Sequence, residues 1–177
     1  MKHFIFTLMM FFIMGNIVFA DNVSKYTSFC GVNFGSKPLK KHTFISRTDD
    51  GNYIYRFKPK KYFMNFKECG FIATPISKKI AQVFLINRIK GIENAANYAE
   101  HVKNVLQNHY KVEPKKNNRS LEPEYHFQMD GFHLMLKVQF KVMESIVQII
   151  ATDVENFNLM QKEEKEYTAK NIDTSAL

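Results

Sequence analysis

From Tyr53 to Lys58 the chain alternates Tyr53, Tyr55 and Phe57 against Ile54, Arg56 and Lys58, the period of a half-buried β-strand, directly after the turn cluster Asp49-Asp50-Gly51-Asn52. Gly70 to Thr74 and Lys79 to Arg88 read as two further strands joined by Pro75-Ile76-Ser77-Lys78. In the second of these, both alternating sets are largely apolar, Ile80, Gln82, Phe84 and Ile86 on one side and Ala81, Val83 and Leu85 on the other. That pattern predicts a central strand covered on both faces. From Ile92 the period becomes helical: Ile92, Ala95, Ala96, Ala99, Val102, Leu106 and Tyr110 form one stripe, with Gly91 before it and Pro114 after it. The helix is expected to lie on the sheet.

Residues Lys111 to Pro123 are polar, basic and broken by prolines, as an exposed loop would be. Beyond them Asp130-Gly131 marks a two-residue turn that pairs Met129 with Phe132, Gln128 with His133, Phe127 with Leu134, His126 with Met135, Tyr125 with Leu136 and Glu124 with Lys137. This register gathers Tyr125, Phe127, Met129, Phe132, Leu134, Leu136, Val138 and Phe140 on one face. Ser145 to Val154 reads as one more strand, and Asn156 to Lys170 as a charged helix fraying into Asn171 to Leu177. The fold expected is α+β, a mostly antiparallel sheet packed by one main helix, with a short C-terminal helix at its side.

The amino terminus reads differently from all of this. Lys2 and His3 precede an apolar run from Phe4 to Met14, and Val18-Phe19-Ala20 places small residues where a signal peptidase cuts. The run falls short of the roughly 20 residues that cross a bilayer. A signal peptide over residues 1–20 and one exported domain over 21–177 are therefore expected, with no integral membrane segment after cleavage.

The first part of that domain, Cys30-Gly31-Val32-Asn33-Phe34-Gly35-Ser36-Lys37-Pro38, suggests a short strand between tight turns. Its Gly31-Val32-Asn33-Phe34-Gly35 segment resembles the opening of small exported bacterial proteins in which a Gly-x-x-Phe-Gly element precedes a mixed sheet and helix. The resemblance implies export and a mixed fold, and no activity. Cys30 and Cys69, the only cysteines, lie in the exported part, where an isolated pair tends to form a disulfide. Closing that loop would stabilise the fold by about 4 kcal/mol in the chain-entropy model. Buried reduced thiols, or a reactive Cys beside a His, are the alternatives.

Charge divides the chain. Residues 21–120 hold 19 Lys and Arg against 7 Asp and Glu, a balance of +12, whereas residues 121–177 hold 5 against 10, a balance of −5. A split of this size predicts a basic surface and an acidic one on the same domain. Lys40, Lys41, Lys60, Lys61, Lys78 and Lys79 are the candidates for contact with an anionic envelope component or an acidic protein; solubilising charge is the plainer reading. Export makes nucleic acid a poor partner.

Candidate chemistry is sparse. His126 and His133 fall on one face of the hairpin as diagonal neighbours roughly 7 to 8 Å apart, semi-exposed, and a metal there would need a third ligand that no spacing supplies. Gly-x-Ser-x-Gly, Ser-x-x-Lys and His-Glu-x-x-His are all missing, and no cofactor motif is present. The reading that follows is a non-enzymatic exported binding or accessory protein of the bacterial envelope. A small exported hydrolase is its rival, and a secreted factor acting on a host is the third possibility.

Overall fold

The structure, a computed structural model, describes residues 26–141 and 143–172. The expected signal peptide lies outside the described residues. In chain order the elements are β1 (Ser28–Phe29), β2 (Val32–Asn33), β3 (Thr43–Arg47), β4 (Tyr53–Arg56), β5 (Glu68–Ala73), β6 (Ile80–Ile89), α1 (Ile92–Tyr110), β7 (Lys115–Lys116), β8 (Glu124–Met129), β9 (Phe132–Gln139), β10 (Ser145–Asp153) and α2 (Val154–Ile172). The fold is α+β.

An antiparallel sheet of eight strands runs in the order β3-β4-β5-β6-β10-β9-β8-β7. Two meanders, β3 to β6 and β7 to β10, meet along their last strands, β6 and β10. Helix α1 carries the chain from the end of β6 across one face to the distant edge, and α2 follows β10 onto the other face. The two central strands are buried on both sides for this reason. All of β10 is buried, and so is β6 from Ile80 to Ile86, as the double apolar pattern requires.

Helix α1 presents Ala95, Ala99, Val102 and Leu106 to a core that includes Val83, Leu85, Phe127, Leu134, Leu136, Val147 and Ile149. On the opposite face Phe157 and Met160 of α2 pack with Ile54, Ile72, Phe84, Met135 and Ile150. At Gly70 the approach is too close for a side chain, since a Cβ would stand 2.2 Å from the Phe84 ring. Hairpin β8–β9 has the register expected from its Asp130-Gly131 turn, from Met129 against Phe132 to Glu124 against Lys137.

Three details depart from the sequence expectation. Strand β3 has no clean alternation because a bulge at Ile45 shifts its register against β4 and it sits at the edge of the sheet. The loop from Lys111 to Pro123 contains a two-residue strand, β7, which forms the other edge. The third is the Cys30–Cys69 disulfide, which is not formed: both cysteines are free thiols. Cys30 occupies the turn of the β1–β2 hairpin with a φ of 50°, and Cys69 lies in β5 with its thiol donating to the Phe66 carbonyl at 3.8 Å. Burial, with Cys69 nearby, pushes the Cys30 thiol up to about 12; burial, with Glu68 nearby, pushes the Cys69 thiol up to about 11. Both sites therefore favour the thiol over the thiolate that disulfide exchange requires.

Candidate functional site

In an antiparallel meander, successive loops alternate between two ends of the sheet. The segment before β3 and the loops β4–β5, β6–α1, β7–β8 and β9–β10 leave one end, here termed the near end. The turns β3–β4, β5–β6 and β8–β9 and the β10–α2 junction form the far end.

This alternation sorts the lysines. Lys40 and Lys41, before β3, and Lys58, Lys60, Lys61 and Lys67, between β4 and β5, are exposed at the near end. Lys78 and Lys79 are not with them. One strand, β5, separates their turn from the Lys60-Lys61 loop and so delivers them to the far end, where the Lys78 ammonium lies 5.0 Å from the centre of the Tyr53 ring. Between Asp21 and Glu68 the only acidic residues are Asp49 and Asp50, and both sit in the far-end β3–β4 turn. The two loops that carry the near-end lysines, residues 34–42 and 57–67, hold no carboxylate of their own; Glu68, which opens β5 at the same end, is paired with Arg88 at 2.7 Å, and Glu93, Glu122 and Glu144 stand on the other near-end segments.

Apolar exposure follows the same division. Among the described residues, the large apolar side chains left exposed are Leu39, Phe44, Tyr62, Ile76, Ile92, Leu121 and Met143. Phe44 belongs to β3 and Ile76 to the far-end β5–β6 turn; the other five stand in near-end loops or at the first position of α1. The sequence points to four of the near-end lysines; of the apolar positions it names only Ile92, as part of the helix stripe expected on the sheet, and that side chain is exposed because it stands at the first position of α1, ahead of the buried Ala95.

The far end is tied down. Glu163 of α2 accepts the backbone N–H groups of Ile76 and Ser77, each at 2.8 Å. Burial pushes its carboxyl up, but the hydrogen bonds from Ser77, Ile76 and Thr74 outweigh that and hold it below the ordinary carboxylate range. Asn52 donates to Glu164, and the Arg47 guanidinium lies 4.7 Å from the Tyr53 ring and 4.4 Å from the Tyr167 ring. Phe132 is ringed by Tyr26, Phe29, Phe34 and Tyr110, with centroids 5.2 to 6.5 Å away.

The histidines expected to be semi-exposed neighbours are more intimate than that. His126 Nδ1 and His133 Nε2 are 3.0 Å apart, His126 Nε2 is 2.8 Å from Glu124 Oε1, and Asn117 donates to the same oxygen at 2.7 Å. Lys137 lies 3.6 Å from the other carboxylate oxygen. His133 is 2% exposed. Burial first, and the neighbouring His126 second, push its pKa down to about 4. Burial raises Glu124, yet hydrogen bonds from Asn117 and His126, with the charges of His126 and Lys137, bring it below its ordinary value.

An ionised Glu124 requires a proton of His126 on Nε2, and the 3.0 Å contact between His126 Nδ1 and His133 Nε2 needs one further proton held between the two rings. The relay ends inside the sheet, beside Thr152, whose hydroxyl accepts from Gln82 at 3.1 Å. Both ring nitrogens of His126 and Nε2 of His133 are engaged in this chain of hydrogen bonds, and among the described residues no group of three or more His, Cys, Asp and Glu side chains is arranged to hold a metal. Its chemistry is that of a buried polar network fixing β7, β8 and β9 in register. Comparison of the chain with protein-family models, with curated proteins and with solved structures gives no match.

Proposed function

We propose that this is an exported, non-enzymatic binding or accessory protein that meets an anionic surface with the near end of its sheet. The observation that carries the reading is the convergence of Lys40, Lys41, Lys58, Lys60, Lys61 and Lys67, all exposed, on one end of the domain. Charges gathered in this way sum their potentials and draw in an anionic partner, and the two loops that carry these six lysines hold no carboxylate of their own. Export is supported by the cleavage pattern at Val18-Phe19-Ala20. Among the described residues no helix is long and apolar enough to cross a membrane.

The test is co-sedimentation of the processed protein with phosphatidylglycerol-containing vesicles and with purely zwitterionic ones. Binding to the anionic vesicles alone, weakening steeply as salt shortens the Debye length from about 10 Å at 0.1 M, is expected. Equal, negligible sedimentation with both at low salt would leave the lysines as solubilising charge.

A further inference from the structure

Resting on that reading, we infer that the partner is an anionic phospholipid bilayer, and that the near-end loops enter it with apolar tips, chiefly Leu121 and Met143. Leu121 is 104% exposed and Met143 is 87% exposed, values reached only by side chains that project beyond their surroundings. Their loops are tied together: Glu122, next to Leu121, accepts the backbone N–H of Phe140 at 2.7 Å, linking the β7–β8 loop to the end of β9 from which the Met143 loop departs. Ile92 joins them from the next position along the sheet, because Ile89 at the end of β6 is paired with Ser145 at the start of β10.

Each of these tips has a basic residue two positions before it in the chain and a glutamate directly after it, the glutamate beside Leu121 being held by the Phe140 N–H. The pairs are Lys90 with Ile92, Arg119 with Leu121 and Lys141 with Met143, and Lys60 with Tyr62 repeats the spacing in the β4–β5 loop. All four basic side chains are exposed. An apolar tip beside a long cationic side chain suits a membrane interface, where the tip sinks to the acyl boundary while the amine or guanidinium remains at the phosphates. The tips stand on separate loops, so an acidic protein would need a separate pocket for each. A fluid bilayer accepts them at any spacing.

The chain contains no Trp, so one introduced residue reports its own surroundings. Leu121→Trp, Met143→Trp and, as the far-end control, Ile76→Trp are made in the full-length chain and purified as the cell processes it. Each is mixed with phosphatidylglycerol-containing vesicles, with and without brominated acyl chains, and sedimentation is measured on the same samples. Emission of Leu121→Trp and Met143→Trp should shift to the blue and be quenched by the brominated lipid, while Ile76→Trp stays unchanged. The double variant Leu121→Ser with Met143→Ser should bind at least about tenfold more weakly.

Sedimentation without any emission shift in either Leu121→Trp or Met143→Trp would overturn the insertion while leaving the anionic-surface reading intact. A shift in Ile76→Trp equal to theirs would overturn it as indiscriminate adsorption. No sedimentation of the unsubstituted protein would remove both proposals.

Discussion

At the far end of the sheet, side chains are spent on one another: Glu163 clamps the β5–β6 turn, Asn52 reaches Glu164, Arg47 lies against Tyr53 and Tyr167, and aromatic rings surround Phe132. At the near end, loops of comparable sequence character hold exposed lysines and exposed Leu, Ile, Met and Tyr side chains. The same strands supply both ends, so the difference does not arise from the scaffold. It arises from α2, whose Glu163, Glu164 and Tyr167 bind the far-end turns, and from the N-terminal aromatic residues that close around Phe132.

Phe132→Ala should cost about 3 to 5 kcal/mol in denaturant unfolding, because a ring that is 1% exposed leaves a cavity among Tyr26, Phe29, Phe34 and Tyr110. A loss below about 1 kcal/mol would mean that this end is not packed as described.

The next largest effect is set by pH. His133 has a folded pKa of about 4 against 6.5 in a free chain, so the unfolded state takes up its proton first as pH falls. Stability should therefore decline from about pH 6.5 to about pH 4 and then level off with respect to this group, by an amount of order 3 kcal/mol. His133→Gln should flatten that stretch of the stability curve. An unchanged slope in the variant would remove His133 as its source.

Glu163→Gln should cost about 1 to 3 kcal/mol, since the neutral amide accepts the Ile76 and Ser77 N–H groups more weakly. The lowered carboxyl contributes stability above the ordinary carboxylate range, and this part is lost as pH falls through its folded value; the Gln variant should not show that loss. At the near end, by contrast, Leu121→Ser and Met143→Ser should change stability by less than about 0.5 kcal/mol each, because neither side chain is packed. A substantial loss of melting temperature there would show that those tips serve the fold.

Much of the scaffold was legible in the chain. Asp130-Gly131 with alternating apolar residues on both sides determines a register, and the stripe from Ile92 to Tyr110 determines a helix, because both signals are local. Strand β3 was not legible, since an edge position and a bulge at Ile45 remove the alternation. Neither was the burial of His133: its place opposite Gln128 followed from the turn, but its covering and its bond to His126 come from the assembled sheet. The lysines show the same limit. Lys60-Lys61 and Lys78-Lys79 look alike as dipeptides, and only strand direction separates them.

A matched pair of variants tests that separation. Lys60→Gln with Lys61→Gln removes two charges from the near end, and Lys78→Gln with Lys79→Gln removes two from the far end. In co-sedimentation with phosphatidylglycerol-containing vesicles at low salt, the first should bind roughly thirtyfold more weakly than the unsubstituted protein, at about 1 kcal/mol for each lysine near the surface, and the second should bind almost as the unsubstituted protein does. Equal weakening by the two pairs, or greater weakening by the far-end pair, would contradict a near-end contact.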